Sequence, residues 1–433
     1  MSEFQTSRKA VLWLSIAFMG LSHMVHFKQY GKGILYALVN IVFLTSIPAI
    51  VRSITGMITL GVHNPNIPVM FRDHSMFMLI DGVIILAVIA IYACVYVLSV
   101  KGALRLHQEY ASGVTPSKSW ADAINNAFPA VALAPSVLLV VFFVIVPLVF
   151  AALVAFTNYS APFHLPPANT VDWVGFANFR ALFGGEVMWA TALVRVAIWT
   201  FVWGLLATVT CYFGGMFLAV LMHENKMKVL RIYRAIFILP YAVPAVISMM
   251  VWRNLLNGTF GAVNRTLMHL GIIDSIIPWL TDEWLVRFTV VLINLWAGFP
   301  YFMLLTMGAM TAISRDTFAA AEIDGAGKFN LFRYITFPMV TYQTMPLIIM
   351  SFAHNINNFG AIFFLTGGQP VVADTTISGA TGADILITWI YRLTAERMQY
   401  HYASVLAIMI FVVMAPFAIF NFMRTKSFRE GEL

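Results

Sequence analysis

Eight apolar runs constrain this chain more than any motif does. They fall at about 33–51, 78–99, 129–157, 190–222, 236–252, 285–311, 345–366 and 403–423. A spanning helix needs roughly 20 predominantly apolar residues. Inside hydrocarbon every backbone polar group must be satisfied within the protein, and uninterrupted runs of this kind do so as helices. Composition agrees: 60% of the 433 residues are hydrophobic and 10% are charged, whereas soluble domains carry about 25% charged residues. The expected fold class is an all-α polytopic membrane protein with about eight transmembrane helices. A shorter run, Ala10 to Val25, follows Arg8 and Lys9. No small-x-small site closes it as a signal peptide would, and it is expected to form an interfacial or re-entrant helix.

Charge sets the orientation. If the eight runs cross alternately, 17 of the 26 Lys and Arg fall on one side, 8 on the other and Arg195 within a span. The richer side includes the loop after the sixth run, and the positive-inside rule makes that side cytoplasmic. Both termini are then expected in the cytoplasm. The net charge of +7 comes with no basic stripe interleaved with aromatics, so nucleic acid is not indicated. Cys94 and Cys211 both sit in apolar runs and imply no disulfide framework. The external stretch 158–189 is rich in Pro, Gly and Asn and reads as ordered loop with a short helix near 176–183.

The cytoplasmic stretch AAAEIDGAGKFNLFRYITFP, Ala319 to Pro338, holds GAGK. A phosphate-binding loop needs Gly, four residues, then Gly-Lys-Ser/Thr. Here Glu322 stands where the first Gly belongs and Phe329 follows Lys328, so the match fails at both ends. What remains is a helix of strong formers through Ala320, Ala321 and Glu322, a stop at Asp324–Gly325, then Ala326 and Gly327. A second short helix is expected from about Lys328 to Tyr334, ending before Pro338. An ordinary solvated helix–loop and a compact knob for a partner surface both fit.

Polar side chains inside spans either pack helices or line a path. Asn294, Gly298 and Tyr301 recur at i, i+4 and i+7 and share a helical face. His354 and Asn358 are at i and i+4, with Asn355 beside them. Amides and aromatic faces suit a neutral sugar; interhelical hydrogen bonding suits them equally. Asn357 faces away from Asn355 and is expected to bond a neighbouring helix. Asp81, Arg195, Arg253 and Arg287 lie where a side chain can reach an interface; for Arg195, the furthest in, pairing with a carboxylate of a partner subunit is the alternative.

The Ala319–Pro338 segment resembles the coupling loop of permease subunits of ATP-binding-cassette importers: Glu-Ala-Ala, three residues, Gly, nine residues, Ile-x-Leu-Pro. Ala320, Ala321, Gly325, Ile335 and Pro338 match; Ala319 replaces the leading Glu and Phe337 the Leu. Five further stretches, at Phe156–Phe179, Ile238–Ser248, Ile293–Met303, Ser351–Pro370 and Thr381–Thr394, look like the MalF-type subunit of maltose/maltodextrin importers. The likeness covers about residue 129 onward. It implies a type I importer permease fold, with extra membrane segments and a cytoplasmic linker at 1–128, a core at 129–423, a coupling loop at 312–345 and a cytoplasmic tail at 424–433. It implies sugar contacts at Asn294, Gly298, Tyr301, Asn355 and Asn358, with His354 where an aromatic is usual and Ser248 and Ala297 as weaker candidates. It implies ATPase contacts at Ala320, Ala321, Glu322, Asp324, Gly325, Ala326 and Gly327. The partners would be a MalG-like permease, two ATPase subunits that bind ATP and magnesium, and an extracellular solute-binding protein, in a bacterial or archaeal cytoplasmic membrane. The chain itself would be no enzyme and hold no cofactor. An ion-coupled transporter would want carboxylates deep in the spans, and only Asp81 comes near.

Overall fold

The structure is a computed structural model and describes residues 7–112, 128, 132–224 and 230–423. It is helical, and among the described residues the only β features are isolated bridges, Thr157 with Trp173 and Ser160 with His164. Among the described residues six helices are long and apolar enough to cross a membrane, or up to eight if each of two bent pairs is one span. The chain divides into two compact units, Met1–Gly175 and Phe176–Leu433. The expected boundary at 128/129 falls in a stretch of which only Phe128 is described, and the tail 424–433 lies outside the described residues.

In the first unit, α1 (Arg8–Ala17) and α2 (Leu21–Val25) carry the shorter apolar run. Neither is long enough to span. The break between them is Gly20, at φ 89°, where an added Cβ would lie 2.3 Å from the carbonyl oxygen of Gly33. Only glycine permits that approach of α2 to α3 (Tyr30–Thr45). α3 and α4 (Ile47–Thr59) form the first bent span, at 51°. α5 (Ser75–Ala111) is the second, and α6 (Ala132–Val154) the third. His23 of α2 is buried against α5 at Gly102. Burial, with the charge of Lys32 added, pushes its pKa down to about 4.

In the second unit, a short helix at Ala177–Arg180 bears out the expected element near 176–183. Two long helices then set the frame: α7 (Val187–Glu224) and α11 (Glu283–Thr311). They meet at Gly215, where an added Cβ would lie 2.5 Å from the backbone nitrogen of Met303 and 2.6 Å from the oxygen of Phe299. Small residues that let backbones touch are the usual means of packing helices where lipid removes the hydrophobic drive. Between them in sequence lie α8 (Leu230–Ala242), α9 (Ala245–Leu255) and α10 (Ala262–His269). α8 and α9 form one span bent by 91°. The bend sits at Tyr241–Pro244, between Pro240 and Pro244, which each remove a backbone donor.

The cytoplasmic stretch and the next span differ from expectation. After α12 (Arg315–Ile323), the second helix does not stop before Pro338. It runs from Lys328 to Ile356 as one spanning helix, α13. The span expected at 345–366 therefore begins and ends earlier in the chain, and 359–366 belongs to a separate helix, α14 (Phe359–Thr366). The cause is a π-turn at Phe332–Thr336, in which Phe337 N–H donates to the carbonyl of Phe332. One inserted residue loosens the helix just before Pro338, so the missing N–H and the ring clash are absorbed rather than ending it. The same device precedes Pro147: a π-turn at Val141–Ile145 lies immediately before that proline's turn of helix.

Beyond α14 the chain passes through short helices at Thr375–Ser378 and Leu386–Tyr391 before the last span, Tyr400–Met423. This segment is buried and tied by arginines. Arg195 of α7 meets Asp374 at 2.6 Å and the carbonyl of Thr381 at 2.7 Å. Its carboxylate partner is thus in its own chain, not in another subunit. Arg392 pairs with Asp384 at 3.0 Å, and Arg397 donates to the carbonyls of Thr375 and Thr376. Sequence could not show the Arg195 pairing, because its partner is 179 residues away.

Candidate functional site

A cavity of about 670 Å³ opens in the second unit beside the bend between α8 and α9. All six residues expected to contact sugar line it: Asn294, Gly298 and Tyr301 from α11, His354 and Asn355 from the end of α13, and Asn358 just beyond. The route to this meeting differs from the i, i+4 argument for one pair. α13 ends at Ile356, and Asn358 is the N-cap of α14, its Oδ1 accepting from Ala361 N–H at 3.2 Å. His354 and Asn358 thus reach one cavity from two helices. Asn357 stays exposed, donating to the carbonyl of Ala353 in its own helix rather than to a neighbour.

The two readings of the amides are both realised. Asn294 is nearly buried and donates to Cys211 Sγ at 3.4 Å, while the thiol donates back to the Asn294 carbonyl. Asn355 donates to Thr208 Oγ1 at 3.0 Å, and its carbonyl accepts from the Trp203 indole at 2.9 Å. These bonds lock the walls to α7. A Cβ at Gly298 would lie 2.7 Å from Cys211 Sγ, so Gly298 is a packing residue as well as a lining one. The more open surfaces are Tyr301 and His354. The Tyr301 ring lies 6.4 Å from that of Tyr241, which the bend turns toward the same space. Ser248, in the first turns of α9, contributes a buried hydroxyl without a partner. Cys211 and Tyr241 were missed by sequence reasoning. The signal for Tyr241 was the pair of prolines flanking it. Cys211 gave none, since a buried Cys in an apolar run reads as packing.

Among the described residues, no Asp, Glu, Lys or Arg lines the cavity. With apolar walls, a few placed polar groups and aromatic faces, it is suited to a neutral, hydroxyl-rich ligand. Among the described residues no group of His, Cys, Asp and Glu could hold a metal ion.

The cytoplasmic knob is built differently. Ser314 caps α12 by accepting from Asp316 N–H. The helix closes with Asp324 N–H on the carbonyl of Ala320 and Ala326 N–H on that of Ala321, around Gly325 at φ 83°. This is a Schellman end, which asks for glycine at the left-handed position. Phe318 packs, partly buried, against a cluster with Met310, Ile313 and Val340. Ala320, Glu322, Asp324, Gly325 and Gly327 are exposed, Ala321 and Ala326 half-buried. Ile323 is 86% exposed and Phe329 71%. Large apolar side chains this open on a small knob mark a contact surface.

Comparison with known proteins places these features. Residues 211–426 match the family described as binding-protein-dependent transport system inner membrane component. The galactooligosaccharides transport system permease protein GanP of Bacillus subtilis (strain 168) is 35% identical over 98% of this chain and 99% of its own length. The maltodextrin transport system permease protein MalC of Streptococcus pneumoniae serotype 4 is 33% identical over 98% of each. The likeness therefore includes the N-terminal membrane segments, which the motifs alone did not reach. In fold, the chain resembles a crystal structure of a bacterial transporter involved in importing the acidic polysaccharide alginate, with TM-score 0.56 and 23% identity over 70% of this chain and 96% of that one. This chain belongs to the family of inner-membrane permease components of binding-protein-dependent transport systems.

Proposed function

We propose that this chain is one of two permease subunits in an ATP-driven importer of neutral oligosaccharides, maltodextrins first among them. A MalG-like permease completes the path, two ATPase subunits bind ATP and magnesium, and an extracellular binding protein delivers the sugar. Both termini face the cytoplasm of a bacterial or archaeal cell. The observation that carries this reading is an uncharged cavity lined by amides and aromatics, on the same two helices that end at the exposed knob.

The geometry supports a mechanism. α11 carries Asn294, Gly298 and Tyr301, then runs on to Thr311 at the knob. From Tyr301 to that end is roughly 15 Å of helix. α13 starts beside the knob and ends at His354 and Asn355. Closure of the ATPases on Ala320–Gly327 displaces α12, and the two helices carry that displacement to the cavity walls. Tyr241 and Tyr301 offer faces for pyranose rings, and the amides of Asn294, Asn355 and Asn358 and the Ser248 hydroxyl meet sugar hydroxyls. His354 adds a ring that both stacks and hydrogen-bonds.

The test is sugar-stimulated ATPase activity of the reconstituted complex with its binding protein. Stimulation by maltose and longer α-glucans supports the reading. Stimulation by galacto-oligosaccharides instead, the second reading favoured by the GanP likeness, keeps the importer and changes its cargo. Stimulation by uronate oligomers alone overturns the neutral path.

A further inference from the structure

A second hollow, of about 610 Å³, lies in the second unit. Its walls come from α7 (Gly214, Phe217), α9 (Trp252) and α11 (Thr289, Trp296, Phe299). It shares no lining residue with the sugar cavity. We infer that this groove holds one acyl chain of a phospholipid from the outer leaflet, with the ester carbonyl at Thr289.

Depth carries the argument. α11 begins outside at Glu283 and has 29 residues, about 43 Å against a hydrocarbon core of about 30 Å. Centred in the bilayer, such a helix enters hydrocarbon near Arg287 and reaches the midplane near Ala297, each two residues before Thr289 and Phe299. The groove runs between those two residues, about 15 Å at the helical rise. That is the depth of one leaflet, whereas a docked transmembrane helix would need a track through both.

Two further observations fit a lipid. Trp252, Trp279 and Trp296 line the groove, the rings of Trp252 and Trp296 meeting edge-on at 5.5 Å and giving it a rigid aromatic wall. Trp279 is fixed there by its bond to Asn264 Oδ1. Thr289 is 2% exposed and its hydroxyl has no partner. Thr200, Thr208 and Thr210 on α7 all donate to their own i−4 carbonyls. Thr289 thus carries a donor that its own helix leaves unused, and a lipid ester oxygen at the groove mouth would accept its proton.

The experiment uses the whole complex in nanodiscs containing phosphatidylcholine with a photoactivatable group midway along one chain. Peptides covering 214–218 and 289–299 should capture label in preference to the exposed face of α6 around Leu138 and Phe143, and unlabelled phosphatidylcholine should compete. Leu292→Trp and Gly214→Leu fill the groove and should lower capture about tenfold, or ~1.4 kcal/mol, while sugar-stimulated ATPase persists. The wild-type complex should prefer diacyl over dialkyl phosphatidylcholine, which lacks the carbonyl, and Thr289→Val should lose that preference. Labelling no stronger than on α6, or crosslinking of the groove to a helix of the second permease in place of lipid, would overturn the assignment. If neither variant assembles, the diacyl–dialkyl comparison on the wild-type complex decides alone.

Discussion

The two ends of the second unit are held by opposite means. The segment from about 367 to 399 is buried and fastened by Arg195, Arg392 and Arg397 to carboxylates and carbonyls. The cytoplasmic knob is exposed, contains small residues and holds Phe318 partly buried. Ion pairs removed from water hold geometry and break at high cost; a glycine-closed helix with an open apolar face holds little by itself and waits for a second surface. One end is a fixed frame and the other, in the proposed function, a handle.

That contrast can be broken in graded ways. The largest effect should come from Arg195→Met, which leaves Asp374 buried and unpaired. We expect a loss of about 3–5 kcal/mol, read as a lowered unfolding temperature in detergent; an unchanged transition would mean this lock is ornamental. Gly325→Asp should leave insertion and assembly intact yet abolish sugar-stimulated ATP hydrolysis, because the left-handed position of the Schellman end rejects a side chain. Coupled ATPase at the normal rate in that variant would remove the handle from the mechanism. Asn358→Ala loses the cap of α14 and should cost about 1 kcal/mol in stability, with sugar uptake falling further than assembly does. Equal losses would reduce Asn358 to a cap. The smallest change belongs to Ile323→Ser on the isolated permease. With so exposed a side chain the shift should stay within about 0.5 kcal/mol, while affinity for the ATPase subunits drops. A large stability loss there would show that the knob is part of the core.

How far the sequence foretold these ends depends on the range of the signal. Periodicity placed Asn294, Gly298 and Tyr301 together, because all three lie on one unbroken helix. It also brought His354 and Asn358 to one place, although by a premise that failed: a helix end and a new N-cap intervene. The knob's helix, stop and glycine were local and legible. The Arg195–Asp374 pair was not, since nothing near Arg195 points across the chain. Pro338 misled because proline normally ends a helix, and the relief built in before it depends on hydrogen bonding that residue identity does not reveal.

That relief has a rotational consequence. Each residue of an α-helix turns the chain by about 100°, so the single extra residue at Phe332–Thr336 resets the phase of everything before it relative to everything after. Along α13, the face that meets the knob and the face that meets the cavity are therefore geared through an offset rather than aligned. Deleting one residue from this turn would keep both ends helical but rotate one against the other, leaving the handle connected and pulling in the wrong direction.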